Sequence, residues 1–184
     1  YRLLRQDVAD AHGGFYTESE FDVRPLIQRK PGLRFLELGR SCVLAEHRTK
    51  PVIDLLWQGI WNYVRAYRLD VMFGCASLEG ADAARHAETL AYLFENHAPP
   101  EDWHVSALPA RAAQVPPLGA AQDMKQIMRA LPPLVKGYLR LGCYIGKGAV
   151  EDHQFGTTDV LIILPVSNIN PRYFEKFGQP VAEG

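Results

Sequence analysis

Glu37 and Arg40 stand three residues apart in the apolar run Arg34-Phe35-Leu36-Glu37-Leu38-Gly39-Arg40-Ser41-Cys42-Val43. A carboxylate set in such a run can take a proton from an attacking amine or hold its ammonium, and a guanidinium can pair with an anion. Further along, His47-Arg48-Thr49-Lys50-Pro51 leads into a strongly apolar stretch from Val52 to Val64. A helix opening there aims unpaired N–H groups and the positive end of its dipole at the basic turn, which is a seat for a phosphate. An acid, a base and an anion seat so close together imply transfer of an acyl group from a phosphate-bearing carrier. Arg48, Thr49 and Lys50 are the residues expected to hold that phosphate.

These groups need elements to carry them. The run from Leu33 to Leu44 reads as a buried strand, on which residues three apart point to opposite faces unless a bulge intervenes. Thr49 is placed as an N-cap with Pro51 in the first helical turn. The helix from Pro51 to about Arg68 has a narrow polar stripe of Asp54, Gln58, Asn62 and Arg65, so it is expected to be largely buried against a sheet. Val71–Leu78 and Val160–Val166 read as interior strands, the second rich in β-branched residues. Tyr1–Leu4 reads as the end of a strand. A second helix is expected from Asp82, a proline-rich crossover over 98–120, and a helix from Met124 to about Leu141 broken at Pro132-Pro133. Alternating strands and helices predict a mixed α/β layer architecture.

The blocks Gly13-Gly14-Phe15-Tyr16-Thr17-Glu18-Ser19-Glu20-Phe21-Asp22, Glu37-Leu38-Gly39-Arg40-Ser41-Cys42-Val43, Met72-Phe73-Gly74-Cys75-Ala76-Ser77, Leu134–Gly142, Thr157-Thr158-Asp159-Val160 and Asn168–Tyr173 follow one another along the chain. In that order they resemble the ornithine–acyl carrier protein N-acyltransferases, members of the GNAT superfamily that make the lyso precursor of bacterial ornithine lipids. The resemblance implies a GNAT-like mixed central sheet flanked by helices. Against that pattern the amino-terminal strands are expected to be absent, so residues 1–184 read as a single acyltransferase domain shortened at its amino end. It implies transfer of a 3-hydroxyacyl chain from acyl carrier protein to the α-amine of L-ornithine, with Glu37 and Arg40 catalytic. Asp159, at the mouth of the Val160–Val166 strand, and Arg172 are then expected to bind substrate, Asp159 holding the side-chain ammonium of ornithine. Coenzyme A users of the superfamily carry a glycine-rich loop before the long helix. This chain has no glycine between Gly39 and Gly59, which favours the phosphodiester of acyl carrier protein. The acyl-homoserine-lactone synthases share a strand with a Glu and an Arg three apart and are the nearest competing reading. A non-catalytic module that only docks acyl carrier protein is the reading from another class.

Bulk properties exclude several alternatives. The formal net charge of −1 gives no global pull toward nucleic acid. Hydrophobic content of 47% and charged content of 22% suit an ordinary globular core. The three cysteines form no C-x-x-C pair, and the histidines have no metal-ligand spacing, so neither a disulfide framework nor a metal site is expected. Cys42 and Cys75 read as buried, reduced thiols, and no cofactor beyond the carrier-borne phosphopantetheine thioester is expected. No apolar run reaches the ~18 residues of a membrane span, so a cytoplasmic protein is expected. Lys136 and Arg140 share a helix face that suits an acidic carrier protein, a peripheral membrane contact or plain solvation.

Overall fold

β-Branched and apolar residues fill the centre of a six-stranded sheet in the computed structural model, which describes residues 1–115 and 124–173. The strands are β1 (Arg2–Arg5), β2 (Phe35–Gly39), β3 (Val71–Glu79), β4 (Tyr144–Ile145), β5 (Val150–Asp152) and β6 (Thr157–Pro165). Their order is β1-β2-β3-β6-β4, with β5 also paired to β6. Among these strands β2 and β3 pair in parallel and the other pairs are antiparallel. A parallel pair needs a crossover, which α3 (Lys50–Ala66) supplies. This is the mixed sheet flanked by helices that the sequence predicted.

Alternation divides the sheet's residues between two cores. Leu36, Met72, Ala76, Ile162 and Leu164 pack with α3, α4 (Ala87–Asn96), α5 (Met124–Ala130) and α6 (Pro133–Leu141) on one face. Phe35, Phe73, Leu161 and Ile163 face the other way, against Phe15, Phe21, Val23, Leu26, Val105 and Ala107. Two short helices, α1 (Gln6–Ala11) and α2 (Arg24–Arg29), frame that second face.

Three expectations are corrected. The strand expected over Leu33–Leu44 ends at Gly39, because Arg40 adopts a left-handed conformation (φ 51°) that no strand accommodates. Cys42 therefore lies exposed in the following loop rather than in the core. Helix α3 is buried mainly through Ile60, Trp61 and Val64, while Ile53 and Leu55 in its amino half are exposed. A cavity of about 230 Å³ lies between Asp54, Trp57 and Trp61 on α3 and Gly137, Arg140 and Leu141 on α6.

Candidate active site

Glu37 leaves β2 toward the second face, where it is 1% exposed. The 3-10 turn Tyr16–Ser19 sits directly over it. Thr17 donates its N–H and its Oγ1–H to Oε1, both at 2.7 Å. Oε2 accepts from Arg2 Nη2 at 2.6 Å and from the Tyr16 N–H at 3.3 Å. A carboxylate offers about four acceptor sites, so Glu37 is saturated. Its geometry is that of an anchor binding the turn and β1 to β2.

Arg40 would point away from Glu37 on a regular strand. The left-handed kink cancels that alternation. Its guanidinium lies over the rings of Tyr16 (5.2 Å) and Phe155 (4.8 Å). Arg2 also lies over Tyr16, at 5.6 Å. Glu37 and Arg40 thus converge on Tyr16, one through its backbone and one through its ring.

Beside them the sheet forks. β2 and β3 pair at Phe35–Val71, Leu36–Met72 and Glu37–Phe73, with no register pair beyond. β2 runs on against β1 as far as Gly39, whereas β3 runs on against β6 as far as Glu79. At the crotch Gly74 approaches the Leu38 carbonyl so closely that a Cβ there would lie 2.2 Å from its oxygen. Glycine is required by that contact.

The residue after the crotch, Cys75, shares the face of Glu37. Its Sγ donates to Glu20 Oε2 at 3.2 Å and lies 3.9 Å from Thr17 Oγ1. The donor atoms of Glu20, Cys75 and Asp159 all fall within 4.8 Å of one another. Asp159 is 5% exposed, and its buried Oδ1 makes no full hydrogen bond, although the Ser77 and Thr157 hydroxyls stand near the carboxyl. Burial pushes the carboxyls of Glu20 and Asp159 above their ordinary range, Cys75 drawing the first back and Ser77 the second. Burial, with Glu20 beside it, pushes the Cys75 thiol well up, so it stays protonated.

Glu20 is fixed by its backbone: its N–H donates to Thr17 O (3.0 Å) and its carbonyl accepts from Leu108 N (2.8 Å). It is 1% exposed, yet it lines a polar cleft of about 730 Å³ with Tyr16, Ser19, Arg111, Asp152 and His153. Asp152 Oδ1 is occupied by the Gln154 and Phe155 N–H groups.

The residues expected to hold a phosphate lie before and at the start of α3. Thr49 does precede α3 and Pro51 is in its first turn, but Thr49 makes no side-chain cap. Arg48 is exposed, with Nε donating to Val43 O at 2.9 Å. The side chain of Lys50 lies outside the described residues. Arg172 is exposed beyond the far end of β6, and its neighbours Ile169 and Tyr173 line the apolar cavity on the opposite face. It does not share a pocket with Asp159, which sits near the start of β6.

Sequence reasoning missed Glu20, Thr17 and Cys75 as members of one group. The only signal was the clustering of Thr17, Glu18 and Glu20 between Gly14 and Phe21; nothing local ties them to β2 and β3.

Comparison with known proteins adds the family context. The model of the acetyltransferase (GNAT) domain matches residues 1–58. The L-ornithine N(alpha)-acyltransferases of Agrobacterium fabrum and Rhizobium meliloti are 49% and 51% identical to this chain over 97% of its length. The chain spans 61% and 60% of those two relatives, about three fifths. The L-ornithine N(alpha)-acyltransferase of Rhodobacter capsulatus is 38% identical over 98% of the chain and 69% of the relative. No solved structure matches.

Proposed function

The chain belongs to the L-ornithine N(alpha)-acyltransferase family, and on that premise we propose that it moves a 3-hydroxyacyl chain from acyl carrier protein to the α-amine of L-ornithine, giving lyso-ornithine lipid. The observation that carries the reading is the fork between β2 and β3 beyond Glu37 and Phe73. An extended phosphopantetheine arm can occupy such a fork and find backbone partners there, as a strand would.

In this reading the thioester carbonyl lies at the crotch, near Gly74. Backbone N–H groups of the strand end around Gly39 and Arg40 receive the developing oxyanion. Arg48, Thr49 and Lys50 at the start of α3 meet the phosphate of the arm. The apolar cavity lined by Trp57, Ile60, Trp61 and Met72 takes the acyl chain, since Met72 lies two residues before the crotch. Arg40 closes the fork over Tyr16.

The α-amine attacks the carbonyl carbon. The N–C bond forms, the C–S bond breaks, and the sulfur leaves as the carrier's thiol after taking one proton from the nitrogen. The transfer is direct, without an acyl-enzyme: the thiol beside the crotch, Cys75, is held protonated. Glu37, saturated by four donors, acts as a positioning residue that holds the Tyr16–Ser19 turn against the fork. Asp159 meets the side-chain ammonium of ornithine.

The test is product analysis by mass spectrometry. The chain is incubated with 3-hydroxyacyl carrier protein and ornithine, and separately with the same donor and S-adenosylmethionine. Acylornithine from the first mixture supports the proposal. A lactone from the second would support the homoserine-lactone reading, and donor binding without any product would leave a carrier-docking module.

A further inference from the structure

A polar line crosses the second face of the sheet. It runs from Glu37 on β2 through Thr17 Oγ1 to Cys75 on β3, then to Glu20 and Asp159 on β6. On the reading that this chain acylates an amino acid's α-amine, we propose that Glu20 is the general base that takes the proton from that amine.

Position is the first argument. Cys75 follows Gly74 directly, so the carboxylate hydrogen-bonded to it lies beside the crotch where the thioester is read to sit. Availability is the second. Both oxygens of Glu37 are filled, whereas Cys75 is the one side-chain hydrogen bond that Glu20 makes among the described residues. Access is the third: Glu20 borders the polar cleft, so an acceptor can enter and a proton can leave to water.

Asp159 supplies an independent observation. Leaving a buried carboxylate oxygen without a donor is costly, and native structures seldom tolerate it. Asp159 Oδ1 makes no full hydrogen bond, although the Ser77 and Thr157 hydroxyls stand near its carboxyl, and Asp159 lies within the same 4.8 Å cluster as Glu20. On this proposal one nitrogen of an entering diamine meets Glu20 beside the crotch and the other meets Asp159, which stands in the cluster behind Glu20 rather than on the cleft wall. Arg111 lines the same cleft and offers its guanidinium to the acceptor's α-carboxylate.

The protons balance. The α-ammonium gives one proton to the Glu20 carboxylate and becomes the nucleophile. After the N–C bond forms, the second proton goes to the departing sulfur. Glu20 then returns its proton to water through the cleft. Burial, which raises Glu20 above the ordinary carboxylate range, makes it a stronger base for this step.

The experiment uses the full chain with 3-hydroxyacyl carrier protein and ornithine, following kcat and KM against pH. The groups facing Glu20 are Cys75, Asp159, Asp152, Arg111 and Tyr16, and the acid limb of the wild-type profile is assigned by comparison with Glu20→Gln. Glu20→Gln keeps an acceptor for the Cys75 thiol. It is expected to lower kcat about a hundredfold, to lose the acid limb, and to leave the KM for the donor unchanged. Wild-type acylornithine formation with an unaltered Glu20→Gln profile overturns the assignment and leaves the functional reading standing. A wild-type chain that forms no acylornithine overturns both. Where Glu20→Gln does not fold, Glu20→Asp decides: a reduced kcat with the acid limb retained supports the base, and wild-type kcat overturns it.

Discussion

Thr17 grips Glu37 with two groups at once: its N–H and its hydroxyl both donate to Oε1 at 2.7 Å. Tyr16 N–H and Arg2 hold the other oxygen. A turn twenty residues upstream is thereby clamped to the strand that borders the fork. The clamp fixes Glu20, whose own N–H is bonded to the Thr17 carbonyl.

Glu37→Gln should break this clamp. A carboxamide turns an NH₂ toward donors that need an acceptor, and the Arg2 guanidinium loses its counter-charge. Stability should fall by about 3 kcal/mol, measured by urea unfolding, and exchange protection of the Tyr16 and Thr17 amides should be lost. A variant as stable as the wild type would show that the carboxylate is not the anchor.

Gly74→Ala tests the crotch. The added methyl meets a backbone oxygen 2.2 Å away, so β2 and β3 have to separate. The expected cost is about 2 kcal/mol, with a larger loss of donor turnover than of fold. Denaturation midpoints alongside kcat separate the two effects; wild-type stability would mean that the strands are already further apart.

Glu20 and Asp159 act to lower stability as pH rises, while His97, whose pKa burial lowers, acts in the opposite sense. Glu20 and Asp159 have folded-state pKa values raised by burial, so the folded chain holds protons that the unfolded chain releases. Their contribution is complete below the ordinary carboxylate range near ~4, and it is lost as pH climbs through the raised values. Between about pH 5 and about pH 8, below the thiol range, the urea midpoint of the wild type should fall relative to that of Glu20→Gln, which keeps Asp159 and His97. Parallel profiles for the two proteins would contradict the burial of the Glu20 charge.

Asp159→Asn should raise the KM for ornithine by roughly tenfold to a hundredfold, a loss of a charged hydrogen-bonded partner, and leave the donor KM unchanged. It should also narrow the preference for ornithine over neutral amino acids. Equal KM values for ornithine would make Asp159 structural.

Much of the fold is legible in the sequence because its signals are local. The β-branched run of β6 and the proline break between α5 and α6 sit where the chain puts them. The short helices α1 and α2, of six residues each, carry too little period to read. The end of β2 was hidden because the left-handed turn falls on an arginine, a residue that gives no warning of it. The Glu37–Arg40 pair was visible from spacing, but its convergence on Tyr16 depends on that turn. Glu20 reaches Cys75 across 55 residues of chain, and no local pattern encodes such a contact.

The most direct test of the account is the position of the new bond. The chain is given 3-hydroxyacyl carrier protein and ornithine labelled with nitrogen-15 at the α-position, and the product is fragmented in a tandem mass spectrometer. The account predicts an amide on the labelled nitrogen, with no acyl mass on the protein after donor alone. An acyl group on the side-chain nitrogen, or a stable acyl-enzyme, would contradict it.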